Sequence, residues 1–181
     1  MKVRTFSLRR HPDTPANAIQ AVDARWLETG DGRLILRFQV NGAEALAVPE
    51  FAGRGRADDL WHATCFELFL KDREGEGYLE CNFSPSERWA AYRFTAYREG
   101  RTDAPLAQGP EIASSAGEHL FILTATLDTA LLEGADSAGI SAVIVEKDGT
   151  KSYWALAHPP GDPDFHAPAC FAATLPAASA S

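Results

Sequence analysis

The chain has no surplus of positive charge, no long apolar run and no even set of cysteines, and each shortage removes a class of protein. Its 17 Lys and Arg stand against 25 Asp and Glu, a formal net charge of -8 over 181 residues. The broad basic face on which phosphate-backbone binding depends is therefore missing. The one local basic cluster, Arg54-Gly55-Arg56, runs at once into Asp58-Asp59 and reads as a solvated loop. No stretch approaches the roughly 18 apolar residues of a membrane-spanning helix, and the opening MKVRTFSLRRHPDTPANAIQAV scatters charge where a secretory signal needs an apolar centre. The expectation is a cytoplasmic protein without nucleic-acid or membrane partners. Cys65, Cys81 and Cys170 are an odd number without close-spaced pairs, which suits reduced, buried thiols better than a disulfide framework.

What is present is ordinary globular material, 45% hydrophobic and 23% charged, enough to form a core without a metal or disulfide staple. Most periodic segments have a period of two and are bounded by Gly, Pro, Asn or Asp, as strands joined by turns should be. Strands are predicted over 3–8, 33–40, 64–71, 78–84, 89–97, 119–127, 139–147, 152–158 and 170–175. In the second of these Leu34, Leu36, Phe38 and Val40 share one face, with Arg33, Arg37 and Gln39 on the other. Asp148-Gly149 between two such runs is a hairpin signal, and 128–132 reads as one helical turn capped by Asp128. No internal repeat is visible. The fold class is all-β: a single-domain, two-sheet antiparallel β-sandwich of jelly-roll type over 1–176, followed by a flexible tail at 177–181.

The run LWHATCFELFL places a carboxylate, Glu67, in an otherwise apolar strand, where it must be paired, hydrogen-bonded or open to a solvent-filled pocket. Alternation puts Cys65, Glu67 and Phe69 on one face and Phe66, Leu68 and Leu70 on the core face. The next strand offers Tyr78, Glu80, Asn82 and Ser84 on one side, and the short connector 72–77 makes the two strands a hairpin, so Glu67, Glu80 and Asn82 can share a face. The third strand alternates Trp89, Ala91 and Arg93 with Ala90, Tyr92 and Phe94. Arg93 is then available as a counter-charge bridging both carboxylates. Two readings follow: a structural salt bridge on a wet sheet face, or a pocket in which Glu67, Glu80, Asn82 and Arg93 bond a polar ligand while Trp61 or Trp89 stacks on it.

LWHATCFELFL, followed by YLECNFSPSERWAAYRF and closed by PDFHAPACFAATL, resembles DOMON-like domains, the superfamily that includes the family nine carbohydrate-binding modules. The specific part of the likeness is 60–94, with its Leu-Trp entry, Tyr-x-Glu-x-Asn strand and Asn-x-Ser-Pro-Ser turn. The resemblance implies a ligand-binding β-sandwich rather than an enzyme, with Trp61 near a sugar-stacking aromatic, Glu67 and Asn82 on ligand-facing strands and Trp154 as a second wall. The sequence departs from that pattern at Ala63-Thr64, where such modules often carry acidic residues. Haem-binding DOMON relatives use Met and His as axial ligands; the only Met here is Met1, so no cofactor is expected.

HPPGDPDFH brings His158, His166, Asp162 and Asp164 into one short segment, with His62 elsewhere. The spacing matches no zinc motif and its three prolines stiffen it, so it reads as a structural loop and no metal is assigned. No cysteine has a base and an orienting group in view, so no catalytic residue is assigned. Glu67 and Glu80 could sit at the about 5–9.5 Å separation used by glycosidases, although an adjacent Arg93 would lower both pKa values and remove the acid. The expected role is non-catalytic recognition of a carbohydrate or other small polar ligand, with a glycoside-type hydrolase or an interaction module as the rivals.

Overall fold

The computed structural model describes residues 1–176; the tail expected at 177–181 lies outside them. The chain is all-β. Strands β1 (Lys2–Arg10), β2 (Ala21–Glu28), β3 (Arg33–Asn41), β10 (Leu120–Asp128) and β9 (Glu111–Ala116) form one arm, in that spatial order. The other arm runs β4 (Gly55–Arg56), β7 (Arg88–Phe94), β6 (Tyr78–Phe83), β5 (Cys65–Asp72), β11 (Ala135–Val145) and β12 (Lys151–Ala155). Two short strands lie off this path: β8 (Thr102–Asp103) on β7 and β13 (Ala173–Thr174) on β11.

The two separate antiparallel sheets expected from the sequence are here one continuous mixed sheet curled on itself. The reason is β1, which pairs with β2 along Lys2 to Leu8 and then gives Arg9 and Arg10 to β12. The β4–β7 ladder is parallel, the others antiparallel. It draws Arg54-Gly55-Arg56, read as solvated loop, partly into the sheet. The inner faces of the two arms meet over a shared core, where the Phe66 ring from β5 lies 4.8 Å from Phe38 of β3 and 6.2 Å from Phe121 of β10.

The period-two signal found most of these elements. It passed over β2, although Val22, Ala24 and Trp26 alternate and are buried. It also missed β9, which buries only Ile112 and therefore has no alternation to read. The strand expected at 170–175 is instead a 3-10 turn, Pro168–Cys170, followed by the two residues of β13. Gly139 of β11 makes room for that turn: a Cβ there would come within 3.1 Å of the Cys170 carbonyl. Asp128 caps the 3-10 turn Thr129–Leu132 as expected, its Oδ1 accepting from the Ala130 N–H at 2.8 Å.

The cysteines are buried and unpaired. Cys81 sits opposite Leu68 on the shared core, whereas Cys65 shares the other face with Glu67. Burial pushes the Cys81 thiol up to about 12 and Cys170 up to about 11, so neither is a poised nucleophile.

One buried carboxylate is purely architectural. Glu146, just past β11, accepts the Asn17 N–H at 2.8 Å and the Ala18 N–H at 3.0 Å, fastening the segment between β1 and β2. Glu146→Ala leaves two inward N–H groups without an acceptor, and a loss of roughly 1–3 kcal/mol is expected. Urea denaturation should show it as a lower midpoint with unchanged slope.

Candidate functional site

Strands β5 and β6 are buried on both faces, which is why the sequence around Glu67 is apolar on both sides. The inner face belongs to the shared core. The outer face is covered by the chain after β12, which carries Phe165 and His166 over a second cluster of Phe69, Tyr78, Tyr92 and Phe94. Between that cover and the sheet lies a cleft of about 510 Å³.

The ladders fix its floor. Ser141, Glu67, Asn82 and Ala90 lie in register across β11, β5, β6 and β7, and the adjacent row is Gly139, Phe69, Glu80 and Tyr92. Glu67, Glu80 and Asn82 therefore share a face, as the alternation predicts. Asn82 is fully buried and donates from Nδ2 to Glu80 Oε1 at 2.9 Å, while Ser141 Oγ donates to Glu67 Oε2 at 3.1 Å. The Asn82 Oδ1 has no partner.

Arg93 is not there. It pairs across from Leu79 on the opposite face and turns its Nη2 to Asp72 at 2.6 Å, at the turn end of the β5–β6 hairpin. Trp89 lies on that face too, packed against Gly109. Trp154 is in the shared core with its Nε1 donating to Ser152 Oγ at 2.9 Å. Arg93 and Trp89 share one cause, the choice of face: Tyr92 and Ala90, of opposite parity, lie on the cleft side of β7. On β12 it is Tyr153, one position from Trp154, that lines the cleft. Trp61 does line the cleft, 42% exposed, with its ring centroid 3.9 Å from that of His62.

The cationic groups come from the connection after β7. Arg98 adopts a left-handed backbone (φ 56°), rare for a residue with a Cβ. Its N–H donates to the Tyr78 hydroxyl at 3.1 Å, and its guanidinium pairs with Asp164 at 2.7 Å. Arg101 forms no ion pair among the described residues and lies 5.0 Å over the Tyr92 ring. Both line the cleft. Loops carry no periodic signal, so alternation could not have found them; Tyr92 and Tyr153 were recoverable once the β6–β7 and β11–β12 registers were known.

The segment read as a structural loop contributes chemistry. The Tyr78 hydroxyl accepts from the Arg98 N–H and lies 2.8 Å from His166 Nδ1. His166 Nε2 faces Glu80 Oε2 at 3.7 Å, which favours the tautomer protonated at Nε2, with Tyr78 donating to Nδ1. Burial, reinforced by Arg98, lowers His166 to about 4, so it is neutral at pH 7. Of the other candidate ligands of that segment, His158 Nε2 bonds the Arg9 carbonyl at 2.7 Å, and Asp164 accepts from Tyr97, Arg98 and the His166 backbone N–H.

The two carboxylates differ. Burial, then the nearby Glu80 charge, holds Glu67 well above the usual carboxylate range. Glu80 is also raised by burial, but the Asn82 hydrogen bond and the charges of Arg101 and Arg98 oppose that. Burial thus disfavours charge on both carboxyls, and only at Glu80 do nearby cations oppose it. A protonated Glu67 also supplies a donor directly across the ladder from the Asn82 Oδ1.

No family model matches the chain, and no curated protein matches it. Among solved structures, it resembles a crystal structure from Bacteroides uniformis described as that of a candidate carbohydrate-binding protein, with a TM-score of 0.67 at 19% identity over 94% of this chain and 84% of the other. At that identity the likeness concerns the fold.

Proposed function

We propose that the cleft over Glu67 and Glu80 binds a carbohydrate or sugar-derived small molecule without transforming it, in the manner of DOMON-like sugar-binding domains. The observation that carries this reading is the combination of aromatic walls with a buried, hydrogen-bonding carboxylate floor in one cleft. A pyranose presents C–H faces to aromatic rings and hydroxyls to fixed acceptors, and a cleft of this size is in the range of small-molecule sites. The described role of the structural neighbour points the same way.

Trp61 is the indole at the mouth, whereas Trp26 and Trp154 are buried in the core. A bound saccharide is expected to change the intrinsic fluorescence through Trp61, with a dissociation constant in the range of ~1 μM–1 mM. Trp61→Ala should leave the fold intact and weaken binding about tenfold or more, measured by calorimetry against a panel of mono- and disaccharides. Unchanged affinity would remove Trp61 from the site.

One observation favours a second reading. With Arg93 on the other face, burial and the Glu80 charge raise Glu67 while Arg101 and Arg98 oppose the rise of Glu80, the direction of the acid and base split that glycoside hydrolysis requires. Turnover of aryl glycosides by the wild type, lost in Glu80→Gln, would establish the hydrolase in place of the binding module.

A further inference from the structure

The floor of the cleft is short of donors and of one positive charge. Among the described residues Glu67 Oε1 has no hydrogen-bond partner, Asn82 Oδ1 is buried without one, and Glu80 Oε2 has only His166 at 3.7 Å. The cations nearby are spoken for in charge. Arg98 is paired with Asp164 at 2.7 Å. Arg101, with no ion pair among the described residues, is the charge that opposes Glu80. A second negative charge, on Glu67, would have no counter-ion on any strand of the floor.

We infer that the ligand of this cleft carries a protonated amine, and that it is an amino sugar whose ammonium group sits on Glu67 and Glu80 with its ring against the aromatic walls. This rests on the carbohydrate reading above and narrows it. An ammonium group brings three donors and one positive charge, which are the two things the floor lacks. Aromatic rings around a cation add a further attraction, and Tyr92, Phe94, Tyr153 and Phe165 all line the cleft. The titratable and charged groups around the floor are Cys65 on the strand of Glu67, Glu80 from β6, His166 from the segment after β12, and Arg98 and Arg101 from the connection after β7. Of these, Glu80 disfavours a second negative charge, and burial adds to it. Arrival of the cation reverses that balance: Glu67 gives its proton to solvent, so one positive charge enters and one leaves.

The test is calorimetry on the full chain at about pH 6.5, where a sugar amine is protonated, in two buffers of different ionisation enthalpy. The probes are glucose with glucosamine, galactose with galactosamine, and N-acetylglucosamine. The amine is expected to bind about tenfold or more tightly than its parent hexose, about 1.4 kcal/mol. N-acetylation should abolish the gain, and binding should release protons from the wild type but not from Glu67→Gln. Parent hexoses that bind as well as their amines, or amine binding without proton release, would overturn the inference while leaving the carbohydrate reading standing. Absence of heat with every sugar would overturn both.

Discussion

Phe66→Ala is expected to cost about 3–5 kcal/mol, among the largest losses a single truncation in this protein can produce. The ring projects from the centre of β5 onto the inner face and touches β3 and β10 of the other arm, with centroids 4.8 Å from Phe38 and 6.2 Å from Phe121. It is fully buried. Truncation removes the transfer energy of the ring and leaves a void between two sheet arms held in place by their own ladders, so the walls can collapse only in part. A urea midpoint lowered in proportion, with unchanged slope, is the expected result. A loss below about 1 kcal/mol would mean that the arms do not share one core.

Glu67→Gln should do the opposite above neutral pH. The folded state holds Glu67 protonated well above the ordinary carboxylate range because of burial and Glu80. In the unfolded chain it ionises near its ordinary value, so the folded state binds more protons and stability falls as pH rises from about 4.5 through the folded pKa. His166, lowered to about 4 by burial and Arg98, has the reverse slope: its contribution grows as pH rises from about 4 to 6.5 and is then complete. The two partly cancel in acid; above about pH 6.5 the raised Glu80 and the buried thiols slope the same way as Glu67, and they are common to both proteins, so the difference between wild type and variant reports Glu67. An ionised Glu67 beside Glu80 is a buried charge without a counter-ion, a situation costing about 3–5 kcal/mol. The glutamine keeps the shape and a donor without the charge. The variant should therefore match the wild type near pH 5 and exceed it at pH 9 by up to about 3 kcal/mol, seen in thermal melts across pH. Parallel pH profiles for the two proteins would mean that Glu67 is ionised in the folded state.

The sheet and the location of the cleft were legible in the sequence because period-two alternation reports burial directly. Leu34, Leu36, Phe38 and Val40 are all core, and Glu67, Glu80 and Asn82 share one face because the short 72–77 connector fixes the register. What alternation cannot give is which of a strand's two faces meets a given neighbour when both are buried. In β7 both sets contain aromatics, Trp89 on one face and Tyr92 and Phe94 on the other. Choosing the set with Arg93 placed a guanidinium and the Trp89 indole on the wrong side, whereas Trp154 was implied by the family resemblance alone and lies one position from Tyr153, which lines the cleft. Arg98, Arg101, Phe165 and His166 come from irregular segments, whose positions depend on long-range packing such as the approach of Cys170 to Gly139. The curl of the sheet follows from the last two residues of β1, which look in sequence like any strand end.

The central claim is that the cleft bounded by Trp61 and floored by Glu67 and Glu80 is where the ligand binds. The four tryptophan indole N–H signals of the isotope-labelled protein report on it directly, since only the Trp61 indole borders the cleft. Titration with the saccharide that binds most tightly should shift the Trp61 signal and leave those of Trp26, Trp89 and Trp154 in place. A saccharide that binds while moving the Trp89 or Trp154 signal and not that of Trp61 would place the site on another face and contradict the account.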